Sequence, residues 1–385
     1  MKVRPTELHE RVVAIDMMRG FSLLGIFIVN MLAFHTPFYY INPYTWYTDP
    51  LDKETFQWID IILQGSVYPL FSMLFGYGLM MQFRKSHDRG NSFIPLGFRR
   101  LSILLIIGIL HAFLVWSGDI LITYALSGFI VLCLLRLSKM WLISIASLLY
   151  ILPNLGLALL SYIFVASGEE FYTGVEELES SIVAFGSGSW MDIFMQRAAD
   201  WTYANIESGS LFLIGMTILP YMLLGAAAAQ GKLIERTSSK KTFWITLTAI
   251  TLIAGFSLKQ LPYMVEANFY YMFVQDFFGG PLVAIGYAGL ITLFCQLSIF
   301  RKLLSPVAKV GRMSMTTYLS QSLIATTIFY SYGYGLYGKM DVLTGTWMAV
   351  GIFVIQMIFA EIWLSKFKQG PVEAIWKRAT YGKIK

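Results

Sequence analysis

The groups in this sequence that could do chemistry are few, and they lie inside or at the ends of long apolar runs. His111 stands in RRLSILLIIGILHAFLVWSGD, with Asp119 just beyond the short break Ser117–Gly118. A histidine whose ring is held by a carboxylate is equipped to act as a general base near neutral pH. The same pair would serve equally as a satisfied structural contact, and both readings stand at this level. Asp16 and Arg19, in IDMMRGF, are spaced i, i+3 on one helix face, where they can pair. They form either a structural ion pair at the level of the lipid headgroups or an anion site. In the second case Arg19, helped by Arg99 or Arg100, grips a phosphate or carboxylate. His35 lies about 24 Å further along a continuous helix than Arg19, so the two mark opposite ends of the first apolar run. Asp60 falls at the corresponding end of the next run, where it either faces water as a cap or joins a site. Were the first four runs to pack together, His35, Asp60, His111 and Asp119 would line one outward-facing cavity.

The runs that must position these groups read as membrane-spanning helices. An ionisable side chain near the middle of such a helix costs at least about 2.5 kcal/mol on insertion scales, so it faces the bundle interior and pairs. Hydropathy predicts spans over 16–36, 56–83, 98–117, 119–137, 140–166, 207–230, 242–260, 271–299, 313–338 and 344–365. The second and eighth exceed the roughly 20 residues that cross a bilayer, so they tilt or break. Gly279–Gly280–Pro281, just after Asp276, is where the eighth would break. The short turn between the third and fourth makes them antiparallel neighbours. With the N-terminus inside, 24 of the 29 Lys and Arg residues fall in inner segments and 4 in outer ones, Arg19 lying within the first span. That asymmetry is the positive-inside signature, and a missed span would scramble it. The charged opening, MKVRPTELHERVVAI, runs straight into the first span with no small-residue cleavage site, so that span is expected to stay as an anchor. The outer segment 167–206 begins acidic (Glu169, Glu170, Glu176, Glu177, Glu179) and continues as an amphipathic stretch. That stretch suits a helix along the outer interface, acting either as a passive cover or as a substrate lid.

Composition agrees. Fifty-six per cent of the 385 residues are hydrophobic and 14% charged, against about 25% charged in a soluble domain. The net charge of +6 sits in short clusters between apolar runs, so no nucleic-acid partner is expected. Cys133 and Cys295 form no C-x-x-C pair and read as ordinary buried residues. There is no Walker lysine motif, no G-x-S-x-G, no H-E-x-x-H and no metal-ligand spacing. The glycines of FSMLFGYG (Gly76, Gly78) and YSYGYGLYG (Gly333, Gly335, Gly338) read as close-packing positions rather than a phosphate cradle. Glu361, near the inner end of the last span, is a further polar intruder.

Several stretches, in order, carry a resemblance along nearly the whole chain: IDMMRGFSLLGIFIVNM, FSMLFGYGL, RRLSILLIIGILHAFLVWSGDILITYALSG, GPLVAIGYAGL, VGRMSMTTYLSQS, FYSYGYGLYG and FKQGPVEAIWKRATYG. The chain resembles the YeiB-like family of bacterial membrane proteins, which carry domain of unknown function 418. The D-x-x-R-G element and the histidine-bearing runs are more remotely similar to transmembrane acyltransferases, both the heparan-type glucosaminide acetyltransferases and the bacterial polysaccharide O-acyltransferases. That likeness implies a cytoplasmic acyl donor, usually acyl-CoA, an acceptor from the other side, and a membrane-embedded histidine assisting transfer. It would assign Asp16 and Arg19 to the donor end and His35 or His111 to the acid/base end. Asn30 stands where the O-acyltransferase pattern would have a histidine, which leaves the matching histidine open.

The prediction is an all-α polytopic membrane helix bundle of about ten transmembrane helices with both termini in the cytoplasm. It forms one integral domain over 1–385, with the outer interfacial segment 167–206 and a basic cytoplasmic tail, 366–385. The expected location is the bacterial cytoplasmic membrane, with the lipid bilayer as partner and a homodimer permitted by the Gly-rich and aromatic spans. The expected chemistry is transfer of an acyl group from a cytoplasmic acyl-CoA-type donor to a sugar or other hydroxyl or amine acceptor at the outer side. His111, oriented by Asp119, would deprotonate the acceptor, His35 and Asp60 would position it, and Asp16, Arg19, Arg99 and Arg100 would hold the donor. No metal is expected. The alternative is a proton-coupled transporter or channel for a small solute that uses the same His and Asp groups as a relay. An inactive scaffold is a third reading.

Overall fold

A computed structural model describes residues 12–168, 175–207 and 210–382. Lys2, Arg4, Arg11, Glu169, Glu170, Lys383 and Lys385 lie outside these ranges. All regular structure among the described residues is helical, as expected where a backbone must satisfy its own hydrogen bonds without water. The principal helices are α1 (Val13–His35), α2 (Pro50–Ile62), α3 (Val67–Asp88), α4 (Ile94–Leu114), α5 (Leu121–Leu134) and α6 (Lys139–Ala166). Then come α7 (Val175–Ser187), α8 (Trp190–Thr202), α9 (Ser210–Gln230), α10 (Lys241–Lys259) and α11 (Phe269–Phe294). The last are α12 (Ser305–Arg312), α13 (Ser314–Phe329), α14 (Val342–Lys366) and α15 (Pro371–Tyr381).

Among the described residues, seven helical stretches are long and apolar enough to cross a membrane: α1, the α2–α3 run, α4, α6, the run ending in α10, α11 and α14. α5 and the Thr217–Gln230 part of α9 are apolar but shorter, and α13 has 16 residues. The outside of the bundle is greasy. On α6, Leu148, Leu152, Leu155, Leu159 and Leu160 are all exposed, an arrangement suited to lipid rather than water.

The second and eighth runs each carry an irregularity. The second divides between α2 and α3 at a turn in which Gly65 takes φ +68°, a conformation that costs a residue with a Cβ but not glycine. The eighth stays helical but carries a five-residue π segment, Gln275–Gly279, immediately before Gly280 and Pro281. The two irregularities face each other, for a Cβ on Gly280 would lie 2.2 Å from the Gly65 carbonyl oxygen.

One range differs from expectation. Helix α13 stops at Phe329, and the following glycines form a turn in which Gly335 and Gly338 have positive φ; they serve chain reversal rather than helix packing. The chain beyond Ser365 packs back on the bundle. Its helix α15 docks, and the Glu373 carboxylate accepts from the Met315 and Thr316 amides at 2.6 and 3.1 Å. Those are orphan donors at the N-terminus of α13, where a negative charge is stabilising.

Within 167–206, α8 opens with a capping box of Ser189 and Asp192. Its polar residues Gln196, Arg197 and Asp200 are buried while Trp190, Met191 and Met195 are exposed. The amphipathic stretch is thus turned with its polar face to the protein.

Candidate functional site

Helices α4 and α5 are antiparallel neighbours, as the short turn between them requires. A Cβ on Gly97 would meet Leu132, one on Gly128 would meet Leu101, and one on Gly108 would lie 2.8 Å from the Ile122 amide. Gly108 therefore lets α4 approach the start of α5, and the next turn of α4 carries His111. The Asp119 carboxylate works in two directions. Oδ1 accepts from the Ile122 amide at 2.9 Å, tying down an N-terminal donor of α5, while Oδ2 lies 2.7 Å from His111 Nδ1. Both side chains are almost sealed, with relative exposures of 2% and 0%. His111 Nε2 is enclosed and has no hydrogen-bond partner among the described residues. The Tyr318 ring of α13 packs 5.2 Å from the His111 ring. A carboxylate on Nδ1 favours a proton there, which leaves the Nε2 lone pair free to accept one.

At the other end of the bundle, Arg19 Nη1 lies 3.5 Å from Asp16 Oδ1, with a quarter of the Arg19 side chain exposed. Gly78 makes room for it, since a Cβ there would lie 3.1 Å from Arg19 Nη2. Arg100 donates from Nη1 to Gln82 Oε1 at 3.1 Å and lies 3.9 Å over the Trp376 ring. Gly78 and Gln82 are one turn apart on α3, so both guanidinium groups lean on the same strip of that helix. Arg99, the neighbouring residue on α4, is exposed.

His35 and Asp60 each lie in separate surroundings. His35 is fully buried at the end of α1, beside Phe329 and Gly345, and neither ring nitrogen has a hydrogen-bond partner among the described residues. His111 meets Tyr318 and His35 meets Phe329, positions about 16 Å apart along α13. Asp60 is fully buried, and its Oδ2 accepts from Tyr44 Oη, Tyr263 Oη and Gln275 Nε2, each at 2.7 Å. Lys259 Nζ is 4.0 Å from Asp60 Oδ1 and 3.2 Å from Asp276 Oδ1.

Lys259 and Arg197 are two of the four basic residues that the Lys and Arg partition assigns to the outer side, and both are fully buried. Arg197 donates from Nη1 to the Leu114 carbonyl at 2.6 Å, closing the C-terminus of α4 three residues after His111. Three residues along α8, Asp200 accepts from Tyr40 Oη at 2.9 Å and Gln196 Nε2 at 2.7 Å. The available signal for both cations is their rarity: four basic residues among the segments predicted to be outer is few enough to ask what each one does. Glu361, by contrast, is an exposed partner of Lys309.

The comparisons with known proteins agree with the sequence resemblance. The family described as "Protein of unknown function (DUF418)" matches residues 228–383. "Uncharacterized protein YxaH" of Bacillus subtilis (strain 168) is 32% identical over 98% of this chain and 96% of its own length. "Uncharacterized protein YeiB" of Escherichia coli (strain K12) is 32% identical over 96% of each. The "Uncharacterized 39.9 kDa protein in amylase 3'region" of Bacillus acidopullulyticus is 28% identical over 98% and 96%. No solved structure matches the chain. Identity at this level across nearly the full length of both chains makes this protein a member of the YeiB-like DUF418 family.

Proposed function

We propose that this membrane protein is an acyltransferase in which His111 is the general base and Asp119 the group that orients it. The supporting observation is the sealed dyad, with Nδ1 held at 2.7 Å by Asp119 and Nε2 enclosed without a hydrogen-bond partner among the described residues. An acceptor hydroxyl or amine gives its proton to Nε2 as its oxygen or nitrogen attacks the thioester carbonyl. The C–S bond then breaks, and the imidazolium returns the proton to the leaving thiolate. Arg19 and Arg100, gathered on one strip of α3, are placed to hold the anionic groups of an acyl-CoA-type donor. The proposal includes ten spans with both termini in the cytoplasm and a place in the bacterial cytoplasmic membrane, for which the Lys and Arg distribution is the support.

The test uses purified protein and acetyl-CoA, with glucosamine as acceptor, and follows release of the CoA thiol. His111→Ala should lower turnover about 10²–10⁴-fold while the protein stays monodisperse. Unchanged turnover in that variant would remove His111 from the mechanism. A wild type that releases no thiol would remove the enzyme reading and favour passage of a solute, the second reading, which the buried Lys259 cluster supports.

A further inference from the structure

Lys259 sits where the two irregular helices meet. Its ammonium donates to the Gln64 carbonyl at 2.9 Å, in the break between α2 and α3, and to Asp276 Oδ1 at 3.2 Å, in the π segment of α11. Asp60, on the last turn of α2, completes the group at 4.0 Å. That separation is too long for a hydrogen bond.

The two oxygens of Asp60 are treated differently. Three donors converge on Oδ2, from Tyr44, Tyr263 and Gln275. Oδ1 is enclosed and has no hydrogen-bond partner among the described residues, although the side chain is only 1% exposed. Gln64 Oε1, in the same break, is likewise enclosed without a donor. An unpaired carboxylate oxygen in a dry interior is costly. Counted as ionised, two carboxylates against one ammonium also leave an excess of one negative charge. The Asp276 side chain keeps 30% of its surface accessible, so the cluster is not closed to a small ion. Irregular backbone at membrane depth, with carbonyls released from helical pairing, is found where it is buried in protein or lines a cavity.

We propose that Asp60, Asp276 and the Gln64 carbonyl form an exchange site for a monovalent cation, in which an entering sodium ion or proton displaces the Lys259 ammonium. The charge balance fits one such ion: exchange leaves the two carboxylates with one positive partner as before, and the whole group, with Lys259 still protonated beside it, gains one positive charge and becomes neutral. Because Lys259 bridges the Gln64 break to the π segment, its release loosens the contact between α2–α3 and α10–α11, and ion occupancy becomes a change in packing. The other ionisable groups facing the cluster are phenols. Tyr44 precedes α2, Tyr263 follows α10, Tyr68 lies on α3 towards Asp276, and Tyr287 of α11 donates to the Ile62 carbonyl.

The experiment records charge displacement from the full-length protein in liposomes adsorbed on a solid-supported membrane. One arm jumps from choline chloride to sodium chloride at constant pH; the other is an acid jump in sodium-free buffer. Wild type should give a transient current in at least one arm, and the responding arm identifies the ion. Asp60→Asn and Asp276→Asn should each abolish it while remaining monodisperse. Lys259→Met, which removes the internal competitor, should tighten the apparent affinity about tenfold, since a tethered competitor acts at millimolar or higher effective concentration. If Lys259→Met fails to fold, the two Asn variants decide alone. A wild type silent in both arms, or a current that survives both Asn substitutions, overturns the proposal. No thioester is involved, so the result is independent of His111.

Discussion

At the scale of single residues, the contrast between His111 and Lys259 shows what spacing can reveal. His111 and Asp119 are eight positions apart across one turn, so the chain's local geometry brings them together. Lys259 and Asp60 are neighbours only because distant helices pack, and a lysine after an apolar run reads as a loop cation until they do. Asp119→Asn should keep the cap on α5, because the amide oxygen still accepts from Ile122, yet upset the ring tautomer. Turnover should fall with little change in melting temperature, whereas a purely structural role would move the melting temperature instead. Asp200, outside the spanning helices, carries a pH effect. Burial pushes its carboxyl up to about 6, more than the hydrogen bonds from Gln196 and Tyr40 hold it down. The folded state therefore binds this proton more tightly than the unfolded state. The resulting stabilisation is fully present below the ordinary value of 3.8 and is lost as pH rises through about 6. The loss is roughly 3 kcal/mol. Asp200→Asn should flatten melting temperature across that window, and an unchanged slope would mean another group carries it.

At the scale of elements, small residues decide how closely helices pack. A Cβ on Gly76 would lie 1.9 Å from the Met222 carbonyl oxygen, and one on Gly225 would lie 1.8 Å from that of Met73. Backbone cannot yield as a flexible side chain can, so Gly76→Val should cost about 1–3 kcal/mol or more through overpacking. Gly156 and Gly351 have open space around the added carbon. Gly351→Ala should leave the melting temperature unchanged or raise it, by up to about 1 kcal/mol of helix propensity. If both substitutions behave alike in a thermal melt, the close approach of α3 and α9 is wrong. The irregularity of the two over-long runs follows from length and from Gly-Gly-Pro, but their facing one another does not. Nothing local says that the Gly65 turn and the π segment share a contact.

At the scale of the whole molecule, orientation is the property most open to a direct check. In a background with Cys133 and Cys295 replaced by serine, Lys339→Cys should react with a membrane-impermeant thiol reagent added to intact cells. Arg89→Cys should react only after the cells are opened. The reverse pattern would invert the proposed topology and, with it, the side from which donor and acceptor arrive.

Membrane character, helical class and the order of the apolar runs follow from local composition, because a backbone in lipid has few ways to satisfy its own hydrogen bonds. Family membership and the His111–Asp119 pair were legible for a similar reason: they rest on contiguous motifs or on groups joined by one short turn. The separation of His35 from His111 along α13, the polar inward face of α8 and the Asp60–Lys259–Asp276 cluster were decided by tertiary packing. In each case the energy of a charged or polar side chain depends on what a remote helix sets beside it. Such a group reads as a loop residue or an isolated intruder until that helix is in place.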